Sequence, residues 1–304
     1  MIRSLHPADV KALFSFLGKA PVNEARTRYS LCDKQEGLIT IIPLLKGYLF
    51  DRERQHVSVY IDCGIIRGLI SIRSCSGPGA WEIDRLLMNP GNDDDCINLL
   101  EHSASIAGDI GAEKLFLRLN SDSVIADISK QSGFRHYLTE YCYCLDQMPD
   151  VHSPEMPLVA RPKLSADEQR LFRLYNVAVP PKVRSAEGIT FQGWLQSRDR
   201  NISKELVFEK TGEILGCLSI KLKGGIRQLN MVSTGEADII DTLVKYSLAL
   251  LEGKGTIYWH VPEFQQCLRD ILEEQGFSHI AEYSCLAKQL SATVREPHLV
   301  PLQA

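Results

Sequence analysis

The stretch Arg67-Gly-Leu-Ile-Ser-Ile-Arg-Ser74 occurs a second time, nearly residue for residue, as Leu215-Gly-Cys-Leu-Ser-Ile-Lys-Leu222. Alternating side chains predict a β-strand in both places. Each strand follows another predicted strand, His56–Asp62 in the first half of the chain and Glu205–Lys210 in the second. The sequence Thr211-Gly212-Glu213 between the second pair is typical of a tight turn, so each half contains a predicted hairpin.

The elements around the two hairpins follow one order. An amphipathic helix opens each half, and a strand, a helix, a strand, a helix and a closing strand follow each hairpin. In the first half these are Pro7–Leu17, Trp81–Met88, Asp94–Ala107, Lys114–Asn120, Ser123–Ser132 and Arg135–Leu145, and in the second Ser165–Asn176, Ile226–Val232, Ala237–Leu251, Thr256–Val261, Glu263–Gln275 and Ser278–Lys288. Gly133 and Gly276 stand where the last helix of each half ends, as a residue with positive φ would. This repeated order predicts a tandem duplication.

The composition is that of a globular protein. The chain has 304 residues, of which 44% are hydrophobic and 24% charged, and its net charge is 34 − 38 = −4. The length suggests two domains, and the composition excludes fibrous, disordered and membrane-spanning classes. No broad basic face is expected, so we predict neither a nucleic-acid nor a membrane partner.

The cysteines and the start of the chain favour a cytoplasmic protein. The first residues lack the apolar segment of a secretory signal, and the nine cysteines include no Cys-x-x-Cys pair. Cys142 and Cys144 alternate along a predicted strand and are interpreted as packing residues. His136 and His279 occupy equivalent positions in the two halves, which indicates a shared structural role.

A proline-rich stretch separates the two halves. It contains Pro149, Pro154, Pro157 and Pro162 and has almost no apolar periodicity, which is typical of an extended linker. The predicted organisation is therefore an N-terminal domain over 1–147, a linker over 148–162, a C-terminal domain over 163–290 and a tail over 291–304.

This order of elements resembles the GNAT superfamily of acyl-CoA-dependent N-acetyltransferases. The resemblance is best at Ile2–Asp9, Arg67–Pro90 and Gly111–Leu145, and it covers most of both halves. It implies an α+β fold of two tandem GNAT-like domains, each with a mixed, mostly antiparallel sheet flanked by helices. In that family the fourth and fifth strands splay apart, and the gap between them admits acetyl-CoA.

The resemblance also implies site residues in the first half. Strand four would be Trp81–Met88, with the backbone from Leu86 to Met88 holding the pantetheine arm. Glu82 stands where some members carry the glutamate that removes a proton from the substrate amine, although it could also be one polar residue on an alternating strand. Asn120 matches a frequent asparagine that contacts the cofactor. Gly225 takes the place of Glu82 in the second half, where a base would be missing.

The loops after strand four depart from the family pattern. Members bind the pyrophosphate there with glycine-rich backbone, but the first half has only Gly91 and Asn92, followed by the carboxylates of Asp93, Asp94 and Asp95. Three carboxylates would repel a pyrophosphate, so these residues are better explained as a helix cap and first turn than as a phosphate or metal site.

The second-half loop, Ser233-Thr234-Gly235, offers hydroxyl and backbone N–H groups to a phosphate, or simply caps a helix. The family's thiolate-protonating tyrosine is replaced by Ser129 and Leu272. Arg184 and Glu187 stand three residues apart, and this helical spacing favours an ion pair between them. The alternative is that both contact a ligand.

Two functions remain. The first is an acyl-CoA-dependent N-acetyltransferase that acts on a small-molecule or peptide amine, with Glu82 as base, acetyl-CoA as cofactor and no metal. The alternative is a non-catalytic tandem protein that serves as a ligand-binding or structural module, which the altered loops and absent tyrosines favour.

Overall fold

The computed structural model describes residues 1–19, 22–27, 54–88, 93–146, 159–198, 202–223, 225–235, 237–251 and 255–290. Within these ranges the strands are β1 (Ile2–Ser4), β2 (Gln55–Asp62), β3 (Ile65–Ser74), β4 (Ala80–Met88), β5 (Lys114–Asn120), β6 (Arg135–Leu145), β7 (Val159–Pro162), β8 (Lys204–Lys210), β9 (Glu213–Lys223), β10 (Ile226–Ser233), β11 (Ile257–Pro262) and β12 (Ser278–Gln289). The helices are α1 (Val10–Leu17), α2 (Asp93–Asp109), α3 (Ile125–Gln131), α4 (Glu168–Ala178), α5 (Pro181–Glu187), α6 (Phe191–Ser197), α7 (Ala237–Ala249) and α8 (Gln266–Glu274). None of these helices has the length and apolar character needed to cross a bilayer.

The predicted order of elements is confirmed in both halves. The turn at Thr211 and Gly212 has positive φ at both residues (49° and 83°), as a two-residue hairpin requires. Gly133 and Gly276 follow the last helix of each half with φ of 82° and 86°, as predicted. Val159–Pro162, predicted as the end of the linker, instead forms β7 and pairs with β8. The other linker residues, 148–158, and the tail, 291–304, lie outside the described ranges.

The glycine shared by the two repeated stretches has a packing reason. A Cβ on Gly68 would come within 2.9 Å of Leu99 in α2, and a Cβ on Gly216 would come within 2.9 Å of Leu243 in α7. The helix that follows strand four therefore lies directly on the hairpin strand in both halves. A side chain at either position would require that leucine to shift, which gives a packing reason for the shared glycine.

All twelve strands of the described residues form one sheet, in the order β1-β2-β3-β4-β5-β12-β6-β11-β10-β9-β8-β7. The first half supplies β1–β5 and the second half β7–β11. The two closing strands are exchanged, because β12 pairs with β5 of the first half while β6 pairs with β11 of the second. β6 and β12 also pair with each other at the centre of the sheet. The two halves therefore share one continuous sheet.

The exchange carries side chains from each half into the core of the other. Tyr143 and Leu145 of β6 are buried among second-half residues such as Trp259. Leu286 of β12 is buried in the first-half core with Leu117. Since burying one leucine side chain contributes about 1.5–3 kcal/mol, the exchanged strands contribute to the stability of both halves.

A paired arginine and aspartate repeat at the start of each half. Arg3 holds Asp9 through two contacts of 2.6 and 2.7 Å, and Arg161 holds Asp167 through contacts of the same lengths. In both halves the aspartate also accepts a backbone N–H three residues earlier, at 2.8 Å. This Arg-x₅-Asp spacing is visible in the sequence, and it pins the opening helix to the edge strand.

We expect Asp167→Asn to lower stability in a pH-dependent way. The Arg161 guanidinium and the Leu164 N–H, acting against burial, hold the pKa of Asp167 at about 2, below its ordinary value of 3.8. The stabilisation is thus complete above about pH 4 and is lost as the pH falls through about 2. The free energy of unfolding at pH 7, measured with urea, should fall by about 1–2 kcal/mol, and its dependence on pH between about 4 and 2 should flatten.

Asp127→Asn is the matched control, since Asp127 is 81% exposed and pairs with the exposed Lys130. It should change the free energy of unfolding by less than about 0.5 kcal/mol. Equal effects of the two substitutions would contradict the role given to the Arg161–Asp167 pair.

Candidate active site

The gap of the first half lies between the parallel strands β4 and β5. They pair only where Ala80–Glu82 meets Lys114–Phe116. A β-bulge between β3 and β4 leaves Asp84 as the extra residue, and such a bulge bends its strand. Beyond Glu82, β4 therefore turns away from β5, and the predicted parting of strands four and five is confirmed.

Residues of the same chain fill this first gap. Asn23 Oδ1 accepts the Leu86 N–H at 2.9 Å, and the Glu24 N–H donates to the Leu86 carbonyl at 2.9 Å. On the opposite side of the gap, the Arg26 N–H donates to the carbonyl of Arg118 in β5 at 2.8 Å. The segment 23–26 thus bridges the parted strands, and both backbone groups of Leu86 are already paired.

The plug, as we call residues 23–26, is well packed. Ala25 is fully buried in the first-half core, and Asn23 is only 8% exposed. The Glu24 carboxylate accepts the Ser123 hydroxyl at 3.0 Å. No sequence signal predicted this segment, because its buried residues, Asn23 and Ala25, are not strongly apolar.

The gap of the second half has a different geometry. Residues 227–230 of β10 pair with residues 257–260 of β11. This pairing runs two residues beyond the point equivalent to Glu82, where β4 and β5 part, and no bulge interrupts β9 and β10. The Thr234 N–H bonds Leu215 in β9. Since successive residues of a strand face opposite sides, the Ser233 N–H points away from β9 and toward the gap.

The strand registers correct the position equivalent to Glu82. Ser71 pairs with Arg85, and the equivalent Ser219 pairs with Asn230. Allowing for the bulge, Gln228 rather than Gly225 takes the place of Glu82. The second half still has no carboxylate at this position.

The loops that follow the two gaps differ in charge. Asp93, Asp94 and Asp95 form the first turn of α2, as predicted, while Gly91 and Asn92 lie outside the described residues. The second loop, Ser233-Thr234-Gly235, leads into α7, whose first turn carries Asp238. Gly235 has φ +129°, and a Cβ there would lie 3.1 Å from Ile239. No group of three or more His, Cys, Asp or Glu side chains in the described ranges could hold a metal ion.

A cavity of about 510 Å³ lies over the central strands, with walls from both halves. Ile83, just beyond the parting of β4, and Val232, just beyond that of β10, both line it. Both gaps therefore open onto one cavity. Helices α4, α5 and α6 cover it, and its wall includes the aromatic residues Phe116, Tyr137, Tyr175, Trp194 and Phe264.

The charged groups of this cavity are mostly ion-paired. Glu82 faces the cavity and accepts the Arg73 Nε–H at 2.6 Å. Arg118 lies 3.3 Å from the carboxylate of Glu140, which is completely buried. Although burial opposes its charge, Glu140 holds the pKa of Arg118 well above its ordinary value.

A tyrosine and a glutamate form a second polar group in the cavity. The Tyr175 hydroxyl donates to Glu187 Oε2 at 3.4 Å. Burial, and then the Glu187 charge, raise the pKa of Tyr175 well above its ordinary value, so the hydroxyl stays protonated. Arg184 bonds Asn176 and a backbone carbonyl, and the favoured pair between Arg184 and Glu187 is not formed.

The remaining predicted residues lie away from any reactive arrangement. Asn120 is exposed at the end of β5. Ser129 is buried and donates to the Ile125 carbonyl at 2.7 Å, and Leu272 is buried in the core, so neither position offers a proton donor to a thiolate. Cys142 is buried on β6, as its packing role predicts.

Comparisons with known proteins support the fold. No family model and no curated protein matches the chain. A GCN5-related N-acetyltransferase from Sphaerobacter thermophilus matches with a TM-score of 0.60 at 14% identity, over 95% of each chain. A tandem GNAT protein from the clavulanic acid biosynthesis pathway matches with a TM-score of 0.58 at 13% identity, over 96% of this chain and 99% of the other. The chain therefore has the fold of the GCN5-related N-acetyltransferases, in a tandem arrangement of two halves.

Proposed function

We propose that the chain is an acyl-CoA-dependent N-acetyltransferase with one cofactor site, in the gap between β10 and β11. The observation that carries this proposal is the contrast between the gaps. The first is bridged by the plug through Leu86 and Arg118, whereas no loop segment of the described residues is hydrogen-bonded across the second. The second gap opens onto the large cavity, where an acceptor amine would bind.

The residues around the second gap suit an acyl-CoA. When bound, the cofactor supplies the thioester whose acyl group is transferred. The Ser233 N–H, which points into the gap, would hold the pantetheine arm. The hydroxyls of Ser233 and Thr234, the backbone at Gly235 and the positive end of the α7 dipole would hold the pyrophosphate.

The first half has little to offer a second cofactor. Its loop places three carboxylates in the first turn of α2, and like charges repel a pyrophosphate. The predicted contacts of Leu86 require that Asn23 and Glu24 first leave its backbone groups. This half is better suited to supplying part of the cavity wall than to binding a second cofactor.

Proton transfer would fall to a carboxylate of the cavity. An amine must lose a proton before its nitrogen can attack the thioester carbonyl, forming the C–N bond while the C–S bond breaks. We assign that proton to Glu82, through waters of the shared cavity, because its carboxylate lines that cavity and four strands separate β4 from β10. Its counterpart Gln228 lacks this capacity.

Acetyl-CoA titration tests the position of the site. We expect one acetyl-CoA per chain by calorimetry. Ser233→Pro removes the gap-side N–H and should weaken binding at least about tenfold. The matched control is Met88→Pro, at the equivalent strand position of the first half, which should leave affinity and stoichiometry unchanged while thermal unfolding checks that both variants fold.

Two outcomes would contradict this assignment. Two molecules per chain, or a larger effect of Met88→Pro, would place a site in the first half. Absence of heat and of a thermal shift at millimolar acetyl-CoA would contradict the acyltransferase and favour the non-catalytic module.

The role of Glu82 makes a separate prediction. Glu82→Gln keeps the size of the side chain but removes the base, so release of CoA thiol in the presence of primary amines should slow about 100-fold at neutral pH. The affinity for acetyl-CoA should not change. Glu101→Gln, an exposed substitution on α2, serves as the control. Full turnover by Glu82→Gln would remove this residue from the mechanism.

A further inference from the structure

Asn230 presents a buried polar group without a partner. It stands on β10 at the last residue that pairs with β11, and its side chain lines the cavity. The residue is 9% exposed, and its amide nitrogen has no hydrogen-bond partner among the described residues. Leaving such a donor unsatisfied in a protein interior is costly, which makes it a candidate for bonding a ligand.

The other walls of the cavity restrict what this ligand can be. Tyr137, Tyr175, Trp194 and Phe264 form flat apolar surfaces that suit a ring. Glu187 adds a carboxylate, positioned by the Tyr175 hydroxyl, that can accept hydrogen bonds from an ammonium group.

The size and walls of the cavity favour a small molecule. Its volume of about 510 Å³ lies within the range of ligand pockets, roughly 300–1,000 Å³. Both halves of the chain and the helices α4, α5 and α6 contribute walls. A compact amine fits such a site better than a lysine within an extended polypeptide.

We infer that the acceptor is a small primary amine with an aromatic body and a carbonyl or carboxylate oxygen. The Asn230 amide donates to that oxygen, Glu187 accepts from the ammonium group, and the aromatic walls hold the ring. This inference rests on the proposed acyltransferase, and it adds the substrate class and two positioning residues to it. Neither Asn230 nor Glu187 takes part in bond making.

Two probes isolate the contact with Asn230. L-Phenylalaninamide and phenethylamine share an aromatic ring and a primary amine, but only the first has a carbonyl oxygen. Their dissociation constants are measured by calorimetry on the full chain without cofactor, and their kcat and KM with acetyl-CoA. We expect the wild type to bind phenylalaninamide about tenfold more tightly than phenethylamine, because only phenylalaninamide has an oxygen that the Asn230 amide can reach.

The Asn230 variants should remove this preference. Asn230→Ala should weaken binding of phenylalaninamide about tenfold and that of phenethylamine less than about twofold, with the change in KM rather than kcat. Asn230→Asp keeps the shape of the side chain but removes the amide donor, so it should lose the preference as well. This variant tests the inference if Asn230→Ala does not fold. Arg85→Ala, at the equivalent position of the first half, is the control, because Arg85 is not among the residues that line the cavity.

Glu187→Gln separates the two positioning roles. It should weaken binding of both probes by the same factor, because both carry the ammonium group. If acetyl-CoA does not bind but the probes keep their Asn230-dependent difference, the acyltransferase fails and the ligand class stands. Equal effects of Asn230→Ala on both probes, or no binding of either probe at millimolar concentration, would overturn the inference even if acetyl-CoA binds.

Discussion

The buried ion pair between Arg118 and Glu140 lies at the centre of the sheet, where the two halves meet. Arg118 lies on β5 and Glu140 on β6, and between them runs β12, whose Cys285 sulfur lies 3.3 Å from Arg118. A one-residue slip of β12 or β6 would leave the fully buried Glu140 carboxylate without compensation, which is far more costly than the pair is stabilising. The pair therefore fixes the register of the exchanged strands.

The shared cavity is a consequence of this exchange. Because β12 closes the first half and β6 closes the second, the two gaps stand on either side of a common central region rather than in separate domains. Side chains from both halves then meet over the same strands. Glu82 of the first half and Asn230 of the second line one cavity, although the sequence places them in different repeats.

The two gaps diverge through small local differences. A bulge at Asp84 opens β4 early, and the plug then occupies the space that this bend creates. In the second half, β10 follows β11 for two more residues before they part, and the loop beyond them carries fewer carboxylates. The tandem fold therefore combines one gap that the plug bridges with another that we propose as the cofactor site.

The sequence by itself determined the order of elements, the hairpin turn at Thr211 and Gly212, and the glycines that follow the last helix of each half. These features depend on interactions between neighbours along the chain, such as alternation, capping and the φ of glycine, which a single sequence displays. It also located Glu82 and both loops. It did not show that Glu82 would be held by Arg73, since their contact follows from strand register.

Only the tertiary structure decided where the closing strands pair, that residues 23–26 fill one gap, and that both gaps share a cavity. Either exchanged or self-contained pairing satisfies the same alternation of apolar residues in β6 and β12, so periodicity cannot distinguish them. The buried residues of the plug, Asn23 and Ala25, have weak apolar character and give no strand signal. Its position is set by hydrogen bonds to residues some 60 to 90 positions away, which no local pattern encodes.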